Sequence, residues 1–371
     1  PSYLGKKDIL IAHGKICRIE DRISKSTLGT IWDIKMIDCA NKIICPGFID
    51  QHVHITGGGG EQGPASKIKG LELQDIVEAG VSTVVGVLGT DSISRSTTEL
   101  LTKALALEKE GITTYIYTGD YSIPPVTLTG SVKKDITYID KIIGLGEIAI
   151  ADHRSSHPTL QKLKELAAEV RIGGLLGGKP GIMHLHIGDG NEGISKLFRL
   201  AEESDFPIEM FVPTHINRNK RLFEQGLKYL KKGGNIDLTA GETSEKGYSV
   251  PDAMEILLNE GINVDKVTVF SDGNGSIPEY GDAESDAGKV VQLFKDIRKC
   301  IVVKKLDIEQ VLKVVTSNVA NILKISPVKG LIAEESDADI LVLDSNEFTI
   351  NKMIVKGQVF IDNGGILWEK K

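Results

Sequence analysis

Two histidines one residue apart, His52 and His54, lie in the stretch FIDQHVHITGGGGEQG from Phe48 to Gly63. Residues at i and i+2 of a strand project to the same side, so both imidazoles address one space. Neutral imidazole is a ligand for zinc and its neighbours, and carboxylate oxygens complete such sites. Taken alone, the HxH pattern is weak evidence. It gains weight from Glu147, His186, His215 and Asp272, each of which ends another apolar, β-branched run. A cluster of that kind lowers the pKa of a bound water towards neutrality, and the chemistry it offers is hydrolysis. A second HxH, in HLHIGDG, offers His186 as a ligand beside the Gly-Asp-Gly turn and leaves His184 one layer deeper as a packed histidine. His13, in a turn near the start, reads as structural, and His157, before a proline, as a solvated loop residue.

Positioning six donors together demands a particular frame. Apolar runs at FIDQHVH, VSTVVGVL, ITTYIYTG, KIIGLGE, GIMHLHI, PIEMFVPTH, NIDLTA and KVTVFSDG alternate with stretches of helical period such as TTELLTKALALEKEG and HPTLQKLKELAAEV. Eight strands, each followed by a candidate helix, count to an α/β fold of the (β/α)8 barrel type, in which chemistry collects at the strand C-termini. A doubly wound open sheet is the alternative. The two ends of the chain resemble each other: DILIAHGKICRIED and KMIVKGQVFIDNG are both β-branched strands broken by a Gly turn, and KGLIAEESDADILVLD adds another strand. They are expected to meet in one small sheet, giving a terminal domain from residues 1–46 and 328–371 around a barrel at 47–327.

Composition narrows the classes. With 371 residues and a formal charge of −7, the chain lacks the basic face that nucleic acid requires. No apolar run approaches the ~20 residues that span a bilayer. The start, PSYLGKKDILI, has no secretory signal and no initiating Met, so the natural protein is expected to begin earlier. Cys17, Cys39, Cys45 and Cys300 show no CxxC spacing and read as reduced thiols of a cytoplasmic protein. GGLLGGKP, Gly173 to Pro180, mimics a phosphate-binding loop. It carries proline where a Ser or Thr would hold magnesium, and a strand follows where a helix is needed.

PGFIDQHVH resembles the first-strand motif of the amidohydrolase superfamily of metal-dependent barrel hydrolases. GGGGE, GTDSISR, YTGDY, DHRS, GGLLGGKPG, PTHINRN and SDGNGS narrow the resemblance, over nearly the whole chain, to its isoaspartyl dipeptidase family. That resemblance implies a (β/α)8 barrel, a small β-sandwich built from both termini, and an octameric assembly. It implies a site for two divalent ions, usually zinc. His52, His54 and Asp272 would hold the more buried one and His186 and His215 the outer one, with a bridging anion and a bridging hydroxide between them. Asp272 would act as general base and then acid, and Tyr121 would hydrogen-bond the developing oxyanion. A β-aspartyl dipeptide carries one ammonium and two carboxylates. Glu61 is expected to meet the ammonium, and Arg154 and Arg218 the carboxylates, bidentately. Ser276 and Thr90 would add hydroxyls, and the glycines around Gly59 would let backbone approach the ligand.

One departure stands out. The family's bridging anion is usually a carboxylated lysine, and here the corresponding place holds Glu147. A carboxylate offers the same single charge and two oxygens on a shorter stem, so Glu147 is expected to bridge both ions directly, with Gly144 and Gly146 letting the backbone come closer. Two competing functions remain: an amide hydrolase of the same superfamily acting on a cyclic imide or N-acyl amino acid, and a metal-free scaffold. Glu61, Arg154 and Arg218 weigh against a neutral cyclic substrate.

Overall fold

The protein is described from a computed structural model, which covers residues 2–24, 34–276 and 288–367. Six strands form one parallel sheet in sequential order: β1 Phe48–Val53, β2 Val81–Gly86, β3 Thr113–Thr118, β4 Ile142–Ile150, β5 Ile182–Ile187 and β6 Phe211–Pro213. β7 Ile236–Thr239 and β8 Val267–Phe270 pair parallel with each other. The sheet curls so that this pair lies between its two edges. At one edge the Ile216 N–H beyond β6 donates to Asp237 O at 3.1 Å. At the other, Val53 and Gly273 form a parallel bridge, and the His54 N–H donates to Gly273 O at 2.9 Å. Strand order runs without reversal, which removes the doubly wound alternative: that fold needs a switch point.

The local reasons are legible. VSTVVG in β2 and IIGLGEIAI in β4 are buried at every position, as parallel strands covered on both faces should be. Ser96, Ser131, Thr159, Asn219, Ser249 and Asp307 each cap a helix by accepting from a backbone N–H three residues on. The GGLLG of the false phosphate loop is the last turn of helix Leu160–Gly177, which ends on Gly178 at φ 64°. Inside the curl, Ile49, Ile143 and Ile182, near the starts of their strands, pack with Tyr117, Val212 and Val319. The floor is therefore apolar, and polar groups are left to the opposite rim.

Strands from both chain ends do meet. Lys42–Pro46, Ile340–Asp344, Ile350–Val355, Gln358–Asp362 and Gly365–Ile366 make a five-stranded antiparallel sheet. The hairpin of Asp8–Ala12 and Lys15–Glu20 docks through Ile16, which shares an apolar cluster with Ala338, Ile340, Val342 and Ile354. His13 occupies the hairpin turn, exposed. Among the described residues no helix is long and apolar enough to cross a membrane.

An ion knot ties this region together. Lys329, 4% exposed, reaches Asp339 Oδ2 at 2.6 Å and Asp337 Oδ2 at 2.7 Å, and Asp337 also pairs with Lys15 of the hairpin at 2.6 Å. Removing the buried cation leaves the buried Asp339 carboxylate without its ion pair and Asp337 with Lys15 alone. Lys329→Ala should therefore destabilise the fold by about 3–5 kcal/mol, whereas Lys7→Ala, which breaks an exposed pair with Asp21, should cost under about 1 kcal/mol. Denaturant unfolding of the two variants checks the contrast.

Candidate metal and substrate centre

All six sequence-predicted donors reach one rim of the curled sheet. His52 lies in β1 and His54 directly after it, His186 is in β5, and His215 and Asp272 follow β6 and β8 by two residues. Glu147 is not at the end of β4 but inside it, at a register break between Leu145 and Ile148. His215 and Asp272 hold φ of 58° and 53°. Left-handed backbone at two non-glycine residues costs energy, and such strain collects where side chains must be aimed.

The carboxylate of Glu147 is the hub. Its Oε1 lies 2.9 Å from His186 Nδ1, 3.4 Å from His52 Nε2 and 3.7 Å from His215 Nε2, and its Oε2 lies 3.9 Å from His54 Nε2. Asp272 Oδ1 lies 3.2 Å from His54 Nε2 and 3.4 Å from His52 Nε2. Two donor triads result, His52–His54–Glu147 and Glu147–His186–His215, all buried and sharing the one glutamate. His52 Nε2, His215 Nε2 and Glu147 Oε2 have no hydrogen-bond partner although they are buried. Orphaned polar atoms of that kind are costly unless something fills the space between them. Imidazole nitrogens and carboxylate oxygens aimed at one place suit divalent cations such as zinc, so the residues present fit the implied ions.

Charge in this space is tightly coupled. Burial opposes a charged His52, but the Glu147 carboxylate outweighs it and lifts the imidazole to about 9. Burial would raise Glu147 and Asp272, yet the surrounding imidazoles hold both carboxyls well below the usual carboxylate range. His184 behaves as the packed histidine expected of it. It is fully buried, its Nε2 lies 2.8 Å from His52 Nδ1, its ring stacks on Tyr117, and burial pushes it far towards the neutral form. Phe270 stacks on His52 with ring centroids 4.5 Å apart. Deeper still, burial raises Asp50 to about 6 and Asp237 to about 7.

The residues expected on the substrate side form a chain leading outwards. Tyr121 Oη lies 2.8 Å from His186 Nδ1, and burial keeps its phenol protonated far above the ordinary range. Arg154 stacks on the Tyr121 ring and donates to Glu61 Oε1 at 3.2 Å. Thr90 and Ser276 donate to the same oxygen at 3.0 and 2.7 Å. Arg218 donates to Ile187 O at 3.0 Å and faces Glu242 at 3.7 Å. His157 is exposed, as its sequence context implied.

Three of the four glycines have a job inside the fold. A Cβ on Gly57 would lie 2.1 Å from Ile68 O, on Gly58 2.8 Å from Asn274 O, and on Gly59 2.5 Å from Ser66 O. Their bareness lets the loop fold against its own return strand and against the segment after Asp272, and that packing carries Glu61 to the rim. Sequence reasoning missed Asp152, which sits two residues before Arg154 in DHRS, and Glu242. It also missed Thr239, whose hydroxyl lies 2.8 Å from His215 Nδ1. Asp152 was readable as a fixed offset from an already chosen arginine. Glu242 and Thr239 had no local signal.

The amidohydrolase family pattern matches residues 231–360. A crystal structure of a β-aspartyl dipeptidase from the thermophilic keratin-degrading Fervidobacterium islandicum AW-1, in complex with β-Asp-Leu, superimposes with a TM-score of 0.92. Its sequence is 42% identical, and the match covers 99% of this chain and 95% of that one. A D-hydantoinase from a Thermus species shares the fold at TM-score 0.67 and 16% identity, over 98% of this chain and 93% of its own. An imidazolonepropionase from Colwellia psychrerythraea is 31% identical over 125 residues, 32% of this chain; the stretch spans only 29% of that enzyme's length.

A shared carboxylate predicts the metal content. The purified protein should hold two divalent ions per chain by elemental analysis, and Glu147→Ala should retain at most one. With Glu147 as the bridging group, reconstitution without bicarbonate should leave activity unchanged.

Proposed function

The chain belongs to the amidohydrolase family, on the branch that holds the β-aspartyl dipeptidases, and we propose that it is a metallopeptidase cleaving the isopeptide bond of β-aspartyl dipeptides. The observation that carries this reading is the placement of Glu61 and Arg154 beside the donor cluster. An acid and a guanidinium, linked at 3.2 Å and joined to His186 through Tyr121, offer one partner for an ammonium and one for a carboxylate within reach of the same reacting bond. A neutral cyclic substrate would have no use for either.

His52, His54 and Asp272 would hold one cation and His186 and His215 the other, with Glu147 on both in place of the carboxylated lysine. Zinc is the expected ion. When bound, such ions polarise the scissile carbonyl and make water nucleophilic near neutral pH. The remaining work belongs to the chain. Asp272, ionised because His54 and its neighbours outweigh the effect of burial, accepts the proton of the attacking water and returns it to the leaving amine. Tyr121, kept protonated by burial, donates to the oxygen that gains charge. Glu61 binds the substrate ammonium, and Thr90 and Ser276 fix that carboxylate from behind. Arg154 and Arg218 receive the two substrate carboxylates, while Gly59 shapes the loop that holds Glu61.

The same reading treats the eight parallel strands as one closed (β/α)8 barrel at 47–327. It treats the terminal strands, 1–46 and 328–371, as a small β-sandwich, and places the enzyme in the cytoplasm as a homo-oligomer, octameric by family resemblance.

Hydrolysis of β-Asp-Leu against α-Asp-Leu is the decisive comparison. The β-linked dipeptide should be cleaved and the α-linked one left intact, with activity abolished by a chelator and restored by Zn2+. Cleavage that is indifferent to linkage or to chelation would overturn the proposal.

A further inference from the structure

We propose that Asp152 is a positioning residue that joins the metal centre to the substrate-carboxylate clamp: one carboxylate orients His186 with one oxygen and grips Arg154 with both. The inference rests on the reading of His186 as a metal ligand and of Arg154 as a substrate contact, and it goes beyond both. The reaction proposed above does not use Asp152.

The geometry is complete on both sides. Asp152 is 6% exposed, and its Oδ2 lies 2.9 Å from His186 Nε2. Its Oδ1 accepts from Arg154 Nε at 3.0 Å and from the Arg154 backbone N–H at 2.8 Å, and Oδ2 accepts from Arg154 Nη2 at 2.9 Å. An ionised carboxylate can only accept, so with a cation on Nδ1 the Asp152 contact selects the tautomer that carries its proton on Nε2; Arg154 Nη2 also lies 3.2 Å from that nitrogen, but its shorter contact, 2.9 Å, is to Asp152 Oδ2. The lone pair is then left on Nδ1, the nitrogen that faces Glu147 at 2.9 Å. A carboxylate behind a histidine fixes its tautomer and raises its basicity as a ligand. The fork-on-fork contact with Arg154 holds the guanidinium over the Tyr121 ring, 5.2 Å from its centroid, where it also meets Glu61.

The backbone is built around this group. Ala151 holds φ of 53°. A Cβ on Gly188, just past β5, would lie 2.5 Å from both Ala151 O and Asp152 Cβ. The turn after His186 thus presses directly on the residue that orients it. An aspartate whose only task was to cap its own loop would not need a partner on the neighbouring strand.

Asp152→Asn tests this without a large change of shape, because an amide turned towards His186 presents a second donor to the Nε2–H or forces the other tautomer. With Zn2+ alone as the probe, in competition with a chromophoric chelator, the variant should hold its first equivalent as the parent protein does and the second about 10–100-fold more weakly. Its KM for β-Asp-Leu should also rise by about tenfold or more, since the arginine loses its brace. Arg154→Ala should raise KM while weakening the second Zn2+ equivalent less than Asp152→Asn does, although Arg154 Nη2 also lies 3.2 Å from His186 Nε2. A folded Asp152→Asn protein with both equivalents at parent affinity would overturn the inference. Should the variant fail to fold, nitrogen NMR of the zinc-loaded parent decides instead: His186 bound through Nδ1 with a proton on Nε2 supports the proposal, and binding through Nε2 ends it. The Zn2+ titration needs no substrate, so it gives its answer even if β-Asp-Leu is not hydrolysed.

Discussion

Four imidazoles converge within 4 Å of one buried carboxylate, that of Glu147, and most of the architecture exists to make that tolerable. An isolated ionised carboxylate in an apolar interior is prohibitively unfavourable. Here it is surrounded by groups that are cationic when protonated and electron-pair donors when neutral. The parallel curl is the arrangement that can supply such neighbours. Every strand points its C-terminal end at the same rim, so residues distant in sequence, His52 in β1 and His215 after β6, arrive within 5.5 Å of each other, ring centre to ring centre. An antiparallel sheet would send alternate ends to opposite sides.

Two regions of opposite character follow from that convergence. Below the donors, the interior turns apolar around Ile49, Ile143 and Ile182, which denies water a route from the floor. Between the floor and the donors lies a polar layer, in which Gln51 donates to Thr268, Thr268 donates to Asp237, and His184 faces His52. Above the donors, polar groups are paired outwards in sequence: His186 to Asp152, Asp152 to Arg154, Arg154 to Glu61. Each link is short and partly shielded from solvent, so it is screened less than a surface pair would be. The rim is a chain of alternating sign, which suits a substrate that itself alternates between ammonium and carboxylate.

What could be read from sequence was what depends on local period and spacing. β-branched runs gave away the strands, and the HxH of His52 and His54 survived because a strand has a strict two-residue repeat. The six donors were legible because each falls at or just after such a run. What could not be read depends on three-dimensional approach. Glu147 was expected at a strand end, but β4 continues to Ile150 through a register break that no composition rule marks. The glycine loop gave no sign that its missing Cβ atoms make room for Ser66, Ile68 and Asn274. Glu242 and Thr239 belong to the site only because β7 folds beside β6.

The register break also bears on how a glutamate can stand where the family usually has a longer, carboxylated side chain. Both groups carry one negative charge on two oxygens, and they differ in reach. Slipping the register at Leu145 to Ile148 changes where the backbone of β4 runs, and Gly146 lets that backbone close on β5: a Cβ there would lie 2.8 Å from His184 Cβ. That close approach of the main chain has a structural consequence. His184, which faces His52, is also the residue against which Gly146 packs. Any side chain at 146 would push on the histidine behind His52, so the short carboxylate, the bare glycine and the buried second histidine form one interdependent unit rather than three separate choices.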